Sequence, residues 1–271
     1  MHFDLIQSLN LAGKADVPND DRIGCASRHA WVIDGATDLG PPGLLGEQGG
    51  AAWLAAAAQA AFVSASGPLQ SLCEQVFATV AAAYERDRRR EPVAGWELPR
   101  AAFAAVALED DEVVCAHLAD CVVLHRSEHG IAFLTPEPDR ETERAEALAL
   151  GPGTGAHGVR TPAVQADRRI ARERPKAVLS VDAEVARAGT LYTRAPVRRG
   201  DDLVLMSDGF AALFDTYQAC TPHTFMTQLR EQGLAELALR LRQIERDDAA
   251  CVRYPRFKMS DDASALWLRV G

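Results

Sequence analysis

The sequence predicts an α+β protein in which the helices are kept apart from an antiparallel meander of strands. Residues 47 to about 64 form an alanine-rich run, and residues 69–90 place apolar side chains at three- and four-residue spacings, so a packed pair of helices is expected. Residues 101–135 instead alternate short apolar runs with the breakers EDDE and RSEHG, which is typical of antiparallel strands. A chain of 271 residues can bury a substantial core, and we expect a single domain over residues 1–271.

The remaining segments fit the same pattern. Strands are expected at residues 3–9 and 22–33, joined by a polar loop, and a short helix should follow the meander. Leucine spacing near the C-terminus predicts one or two helices, and residues 260–270 predict a closing strand. Residues 155–175 are rich in arginine and have the weakest pattern in the chain, so a mobile surface flap is predicted there.

Charge and composition narrow the class of partner. Acids outnumber bases for a net charge of -9 without a long block of one sign, which argues against nucleic acid or an anionic membrane. The N-terminal MHFDLIQSLN lacks a basic stretch, and Gln59 interrupts the most apolar segment, so a soluble cytoplasmic protein is expected. The six cysteines form no C-x-x-C pair and indicate neither a zinc site nor a disulfide framework. With nucleic acid and membrane disfavoured, the expected substrate is a protein or a small molecule.

Acidic residues recur where the predicted strands end or begin. The apolar runs AWVI and LVLMS stop at Asp34 and Asp208, Asp120 lies between two runs in HLADCVVL, and Asp261 precedes the closing strand. Asp-Gly is also a common tight turn, which is the better interpretation of either Asp-Gly pair taken alone. Acids at several strand ends instead suggest convergence on one site. Three further acid pairs, at 110–111, 201–202 and 247–248, are assigned to a hairpin loop, a turn and a helix end.

Clustered carboxylates predict a divalent metal. Carboxylates at contact distance cannot all stay ionised without a compensating cation, and an all-oxygen set favours Mg²⁺ or Mn²⁺ over Zn²⁺. Two such ions would activate a bridging water for attack on a phosphoryl group, so metal-assisted hydrolysis of a phosphate ester is expected. The glycine after Asp34 would let the Gly35 carbonyl approach a metal without a Cβ in the way.

Short motifs carry a family resemblance along nearly the whole chain. They are NDDR, VIDGA, HLADCVVL, LT before an acidic helix, LVLMSDGF and MSDDASALWL. In this order they resemble the N-E-D, V-x-D-G-x-G-G, G-D-S, L-T-x-D-H, L-L-L-x-S-D-G and D-N-x-T motifs of the metal-dependent serine/threonine protein phosphatases of the 2C type. Order and spacing make the resemblance specific, and the chain resembles a divergent member of bacterial type. The resemblance implies a four-layer α/β/β/α sandwich, with two antiparallel sheets flanked by helices.

The resemblance also implies a set of metal ligands. Asp34 would bridge two Mn²⁺ or Mg²⁺ ions and, with Asp208, hold the attacking water. Asp20 and the Gly35 carbonyl would complete one ion, and Asp208 and Asp261 the other. A third, more weakly held ion is implied at Asp120, with Asp21.

The chain departs from the family motifs around the reacting phosphate. Ala36 stands where the family usually has a histidine proposed as general acid, so metal-bound water or a loop residue such as His157 would have to protonate the leaving group. The usual phosphate-binding arginine is missing as well. Asp16 stands there, with Lys14 nearest, so Lys14 is the predicted phosphate-binding residue. Either weaker binding of the substrate phosphate or an arginine supplied by the flap is expected to follow. Asp20 and Asp262 replace the usual Glu and Asn.

Three functions are consistent with these residues. The first is a Mg²⁺/Mn²⁺-dependent phosphatase that acts on phosphoserine or phosphothreonine in a phosphorylated protein substrate. The second is a catalytically weak or inactive relative that binds a phosphoprotein, suggested by the missing histidine and arginine. The third is a hydrolase of small phosphate esters. The retained metal-binding acids favour a phosphatase over a binding module.

Overall fold

A computed structural model describes residues 1–157, 161–174 and 176–271, and for Arg140 and His157 it describes the backbone alone. Strands and helices follow one another along the chain, and a 3₁₀ turn lies at Gly95–Glu97. The strands are β1 (Phe3–Leu11), β2 (Arg22–Cys25), β3 (His29–Gly35), β4 (Arg100–Glu109), β5 (Glu112–Leu118), β6 (Val122–Ser127), β7 (Gly130–Phe133), β8 (Leu179–Ser180), β9 (Leu191–Pro196), β10 (Asp202–Met206) and β11 (Ala263–Val270). The helices are α1 (Gly50–Ser64), α2 (Leu69–Asp87), α3 (Arg140–Ala149), α4 (Thr154–His157), α5 (Pro162–Glu173), α6 (Ala183–Gly189), α7 (Asp208–Ala211) and α8 (Pro222–Asp247).

The strands form two antiparallel sheets that pack face to face. One sheet has five strands in the order β1-β11-β10-β6-β7. The other has six, in the order β2-β3-β4-β5-β9, with β8 paired to β4. The helices α1 and α2 pack on the outer face of the six-stranded sheet, and α8 packs on the outer face of the five-stranded sheet. The predicted four-layer sandwich is confirmed.

The central strands are buried on both faces, which explains their continuous apolar sequence. In β4, Phe103 and Ala105 pack against the helices, whereas Ala104 and Val106 pack between the two sheets. A strand covered on both faces gains from apolar residues at every position rather than at alternate ones. Because the central strands are packed on both faces, the ends of β3, β10 and β11 are held in place. The acids of the candidate site lie at or next to these ends.

The C-terminal helical region is one long element with a break. Thr221 and Thr224 form a capping box at the start of α8, with Pro222 in the first turn. Gly233, at φ 84°, interrupts the helical conformation, so the region consists of two helices merged across a kink. No helix in the described ranges is both long and apolar enough to cross a bilayer.

The segment predicted as one strand at residues 22–33 is a hairpin of β2 and β3. The turn between them closes where the Ala26 amide donates to the His29 carbonyl at 2.8 Å. The prediction of a single strand is wrong because CASRH continues the local pattern without a glycine or proline to mark the turn. The closing strand likewise begins at Ala263, after the acid pair, rather than at residue 260.

The segment predicted as a flap, residues 155–175, contains the amphipathic helix α5. Val164 is its buried apolar residue, and two arginines cover aromatic rings: the guanidinium carbon of Arg168 lies 4.1 Å from the centre of the Phe257 ring, and that of Arg169 lies 4.3 Å from the centre of the Trp96 ring. Arginine can cover an aromatic surface in this way, but a count of apolar residues does not register it. The mobility of the segment stays a prediction.

The acid pair at residues 201–202 is more than a turn. Asp202 lies within β10 and is fully buried. It forms ion pairs with Arg126 at 3.1 Å and Arg269 at 2.9 Å, and it accepts a hydrogen bond from Trp267 Nε1. The turn interpretation is wrong for Asp202, which is a buried carboxylate that ties three strands of the five-stranded sheet together.

Replacing Asp110 with Asn is expected to change little. Asp110 lies in the two-residue turn between β4 and β5 at φ 50°, a conformation that Asn also tolerates. The free energy of unfolding should shift by no more than about 0.5 kcal/mol. Denaturant unfolding and phosphatase assays check this, and a large loss of activity would contradict the placement of this turn outside the site.

Candidate active site

The acids predicted to converge come from both sheets and meet at one cleft. Asp34 lies in β3 of the six-stranded sheet, whereas Asp208 follows β10 and Asp261 precedes β11 in the five-stranded sheet. These three acids line a common cavity of about 330 Å³, with Asp120 among its lining residues. Asp20 lines an adjoining cavity of about 550 Å³, to which Asp261 also contributes.

The site is an environment that disfavours ionised carboxylates. Burial, followed by the nearby carboxylates of Asp21 and Asp261, raises the pKa of Asp34 well above its usual value. Burial and the carboxylates of Asp34 and Asp261 do the same to the pKa of Asp208. Burial, with Asp262 next in importance, raises the pKa of Asp20 to about 7. The fold therefore holds these acids together against their mutual repulsion.

Two glycines let the acid-bearing segments approach one another. A Cβ on Gly35 would lie 2.7 Å from the Asp20 carbonyl oxygen, a contact shorter than real Cβ atoms make. A Cβ on Gly209 would overlap the carbonyl oxygen of Asp262 and lie 3.2 Å from the Cβ of Asp261. The glycine after each acid thus has a packing role that a simple turn would not require. It lets the segment that leads into the neighbouring strand of the same sheet approach closely: the segment before β2 at Gly35 and the segment before β11 at Gly209.

Asp262 ties the loop that carries Asp20 to the start of β11. Its Oδ1 accepts the backbone N–H of Gly13 at 2.7 Å, and its Oδ2 accepts the N–H of Asp20 at 2.6 Å. A carboxylate that accepts hydrogen bonds from two backbone N–H groups holds both points of the backbone in place. Asp262 is thus a positioning residue for Asp20, a role that the sequence alone did not indicate.

Replacing Asp262 with Ala is expected to lower the affinity for Mn²⁺ by about 10- to 100-fold. The Gly13 and Asp20 amides would lose their acceptor, and the loop carrying Asp20 would no longer be fixed. Calorimetric titration with Mn²⁺ measures the loss. Asp262→Asn retains one acceptor oxygen and should keep most of the affinity; equal affinity of the Ala variant and the wild type would contradict the positioning role.

The family model described as Protein phosphatase 2C matches residues 13–242 of the chain. The chain belongs to this family. The predicted family and enzyme class, that of the protein phosphatases, are thereby confirmed. A search of curated proteins found no significant match.

Solved structures of bacterial phosphatases share the fold over the whole chain. The serine/threonine phosphatase PstP/Ppp of Mycobacterium tuberculosis matches with a TM-score of 0.60 and 16% identity, covering 100% of this chain and 99% of that one. The catalytic domain of PstP in complex with 2 manganese ions matches with a TM-score of 0.59, 16% identity and the same coverage. The S. agalactiae serine/threonine phosphatase matches with a TM-score of 0.56 and 17% identity, covering 100% of both chains. The predicted metal requirement agrees with the two ions in PstP.

The carboxylate oxygens in and around the cleft of this family member are suitable ligands for a divalent metal ion. Asp21 is fully buried, and neither of its carboxylate oxygens has a hydrogen-bond partner among the described residues. Burial raises the pKa of Asp21 to about 8; the hydroxyls of Ser207 and Ser264 lie near enough to oppose the rise, but neither makes a well-oriented hydrogen bond to the carboxylate. An orphaned buried carboxylate is costly, and a nearby cation would lower that cost. The close approach at Gly35 and this orphaned group both fit a metal in the cleft.

The predicted pair of acids for a third ion is split between two places. Asp120 lies on the wall of the smaller cavity, 3.7 Å from Lys176, whereas Asp21 is buried and not part of that wall. Glu143 of α3, absent from the sequence-based set, lines the same cavity as Asp120 and Asp208. Glu143 is exposed to solvent at the cavity mouth, but partial desolvation there, with the carboxylates of Asp261 and Asp120, raises its pKa above the usual value. Glu143 could not be singled out from the sequence, because it is one of several acidic residues in the same helix.

The residues around the missing histidine are held by α5. Arg172 donates to the carbonyl oxygens of Ala36 at 3.1 Å and Thr37 at 2.8 Å, and to that of Trp96 at 3.2 Å. The loop that follows Asp34 is therefore clamped from outside by a side chain of the segment predicted as a flap. The side chain of His157, the other candidate acid, lies outside the described residues.

The ammonium group of Lys258 lies among the acids. Its Nζ is 2.5 Å from Asp261 Oδ1. Burial lowers the pKa of Lys258, but the carboxylates of Asp261, Asp34 and Asp208 outweigh it and raise the pKa overall. Across the described part of the chain, no three His, Cys, Asp or Glu side chains already surround one point as metal ligands would. Lys258 was not among the site residues predicted from the sequence.

Proposed function

We propose that this family member hydrolyses phosphoserine and phosphothreonine in proteins, with Mn²⁺ or Mg²⁺ held by the acids of the cleft. The observation that carries the proposal is the convergence of Asp34, Asp208 and Asp261 from opposite sheets in a chain of the protein phosphatase 2C family. Asp20 and the Gly35 carbonyl would hold one ion with Asp34, and Asp208 and Asp261 would hold the other. We also propose that residues 1–271 act as a single domain, in the cytoplasm.

The metal ions and the protein would divide the work. Divalent ions bound to these acids supply an activated water and neutralise charge on the phosphoryl group. The protein itself would hold the metal-binding acids and the surrounding loops in position. Gly35 and Gly209 allow the acid-bearing segments to meet, Asp262 fixes the Asp20 loop, and Arg172 fixes the loop after Asp34.

Two cationic groups are candidates for the substrate phosphate. Lys14, predicted from the sequence, lines the larger cavity together with Asp20. Arg100, at the start of β4, lines the smaller cavity with Asp34 and Asp208. Among the described residues, Arg100 donates to the carbonyl oxygen of Arg172 through Nη2, so its other N–H groups are left for a ligand. A guanidinium matches the shape of a phosphate better than an ammonium does, which favours Arg100.

Replacing Arg100 with Met should raise KM for a phosphothreonine peptide by about tenfold or more, because one charge-assisted bond to the phosphate would be lost. Lys14→Met should have a smaller effect. Steady-state kinetics at saturating Mn²⁺ measure both variants. A KM that rises in Lys14→Met and not in Arg100→Met would assign the phosphate to Lys14.

The choice between a protein and a small substrate is tested by kinetics on matched substrates. The value of kcat/KM for a phosphothreonine peptide should exceed that for p-nitrophenyl phosphate by at least about tenfold, since a peptide gains binding energy along the cleft. Equal or reversed values would favour a hydrolase of small phosphate esters. Binding of the peptide without hydrolysis, at any concentration of Mn²⁺ or Mg²⁺, would favour a regulatory binding protein.

A further inference from the structure

The segment that carries Lys258 is fixed at both ends. Asp248, at the end of α8, accepts the backbone amides of Val252, Arg253 and Tyr254 at 3.0–3.1 Å. Its carboxylate also pairs with Arg256 at 2.7 Å. Through these bonds one buried acid organises the turn that leads to Lys258.

The far end of the segment is tied to the same helix. Arg256 donates through Nε to the Met259 carbonyl at 3.2 Å, and Arg242 of α8 donates to the Asp261 carbonyl at 2.9 Å. The backbone on both sides of Lys258 is therefore held by buried or half-buried arginines. The fold, rather than a freely moving surface chain, sets where the lysine side chain begins.

From this backbone the side chain reaches Asp261, which its Nζ contacts at 2.5 Å. Lys258 and Asp261 each line both cavities, the one that Asp208 lines and the one that Asp20 lines. The lysine side chain is 27% exposed, which leaves it a path to solvent. The ammonium thus pairs with Asp261 while the side chain keeps partial access to solvent.

We propose that Lys258 is a built-in competitor for the metal: its ammonium neutralises Asp261 and its neighbours in the metal-free protein and is displaced when Mn²⁺ or Mg²⁺ binds. The proposal rests on the metal site assigned under the proposed function. The metal and the ammonium share Asp261 as a partner, and Asp261 Oδ1 cannot serve both at full strength. Metal affinity is then reduced by the fraction of molecules in which the lysine holds the site.

The competition has two consequences. Without metal, Lys258 supplies positive charge to acids that would otherwise repel one another, so it stabilises the folded chain. With metal, the same side chain weakens binding, so the protein should fill its site only at a higher concentration of the ion. Lys258 would thus tune the metal concentration at which the enzyme becomes active.

Calorimetric titration of chelator-treated protein with Mn²⁺ tests the proposal. Lys258→Met should bind Mn²⁺ about tenfold more tightly than the wild type, as expected if the lysine holds the site in about nine molecules of ten. Lys258→Arg, which keeps the charge, should bind like the wild type. Lys176→Met is the matched control, because Lys176 lines the same cavity but pairs with Asp120, and it should change the affinity by no more than about twofold.

A second measurement separates competition from a general effect of charge. In chelator, Lys258→Met should melt several degrees below the wild type, and saturating Mn²⁺ should remove most of this difference. If the Met variant does not fold without metal, Lys258→Gln, which keeps a hydrogen-bond donor for Asp261, replaces it in both measurements.

The outcomes distinguish this proposal from the metal assignment beneath it. Unchanged Mn²⁺ affinity in both neutral variants would overturn the competition, and the metal site would still stand if Asp208→Asn loses Mn²⁺ binding. Absence of Mn²⁺ binding in the wild type, or full binding in Asp208→Asn, would overturn the metal site and the competition together.

Discussion

Asp208→Asn is expected to abolish Mn²⁺-dependent hydrolysis and to leave the fold intact. Asp208 is the first residue of α7, two residues after the end of β10, and it shares the cleft with Asp34 and Asp261. An amide is a neutral and weaker ligand than a carboxylate, and loss of a direct ligand should cost at least the roughly 100-fold that loss of an outer partner costs. Burial and repulsion already disfavour the ionised form of Asp208, so the neutral side chain should not destabilise the metal-free chain.

Three measurements on Asp208→Asn check this result: turnover of a phosphothreonine peptide, Mn²⁺ binding by calorimetry, and the melting temperature in chelator. Asp110→Asn, which makes the same chemical change in the turn between β4 and β5, is the control. Full metal-dependent turnover in Asp208→Asn would show that Asp208 does not hold the metal. Loss of activity together with loss of the folded state would leave Asp34→Asn as the second variant to examine.

Gly209→Ala is expected to lower kcat/KM by about 100-fold without removing any reactive group. The new Cβ would overlap the carbonyl oxygen of Asp262, so the α7 turn or the start of β11 would have to move. Either movement separates Asp208 from Asp261. The free energy of unfolding should fall by about 1–3 kcal/mol, as for other overpacked sites.

Gly95→Ala is the matched control for this variant. Gly95 lies in the 3₁₀ turn, and a Cβ there would meet no atom within 4 Å. Its activity and stability should match those of the wild type. Wild-type kcat/KM in Gly209→Ala would contradict the close packing of the two acid-bearing segments, and crystal structures of both variants would show where the backbone had moved.

Periodicity and turn signals predicted most of the architecture because packing in this fold follows local pattern. The two helices at residues 47–90 and the four strands at residues 101–135 are found close to their predicted ends. The prediction of one meander is wrong, because β4 and β5 form a hairpin in the six-stranded sheet whereas β6 and β7 form a hairpin in the five-stranded sheet. The pattern failed where long polar side chains do the packing, as in α5, whose arginines cover Phe257 and Trp96. It failed also at the turn between β2 and β3, which has no glycine or proline to mark it.

The candidate site was predictable to the extent that its acids lie at strand ends. Asp34, Asp208 and Asp261 share one cavity because strand ends of the two packed sheets meet there. The roles of Asp262 and Lys258 were not predictable in this way. Each depends on a contact with a group whose position is set by tertiary structure: the amides of Gly13 and Asp20 in one case, and the acids of the cleft in the other.

The most direct test of the central claim is to follow hydrolysis of a phosphothreonine peptide by chelator-treated wild-type protein as Mn²⁺ is added back. Hydrolysis should be absent in chelator and should rise to saturation as the calorimetrically measured sites fill. Hydrolysis that persists in chelator, or sites that fill without hydrolysis, would contradict the account of this protein as a metal-dependent phosphoprotein phosphatase.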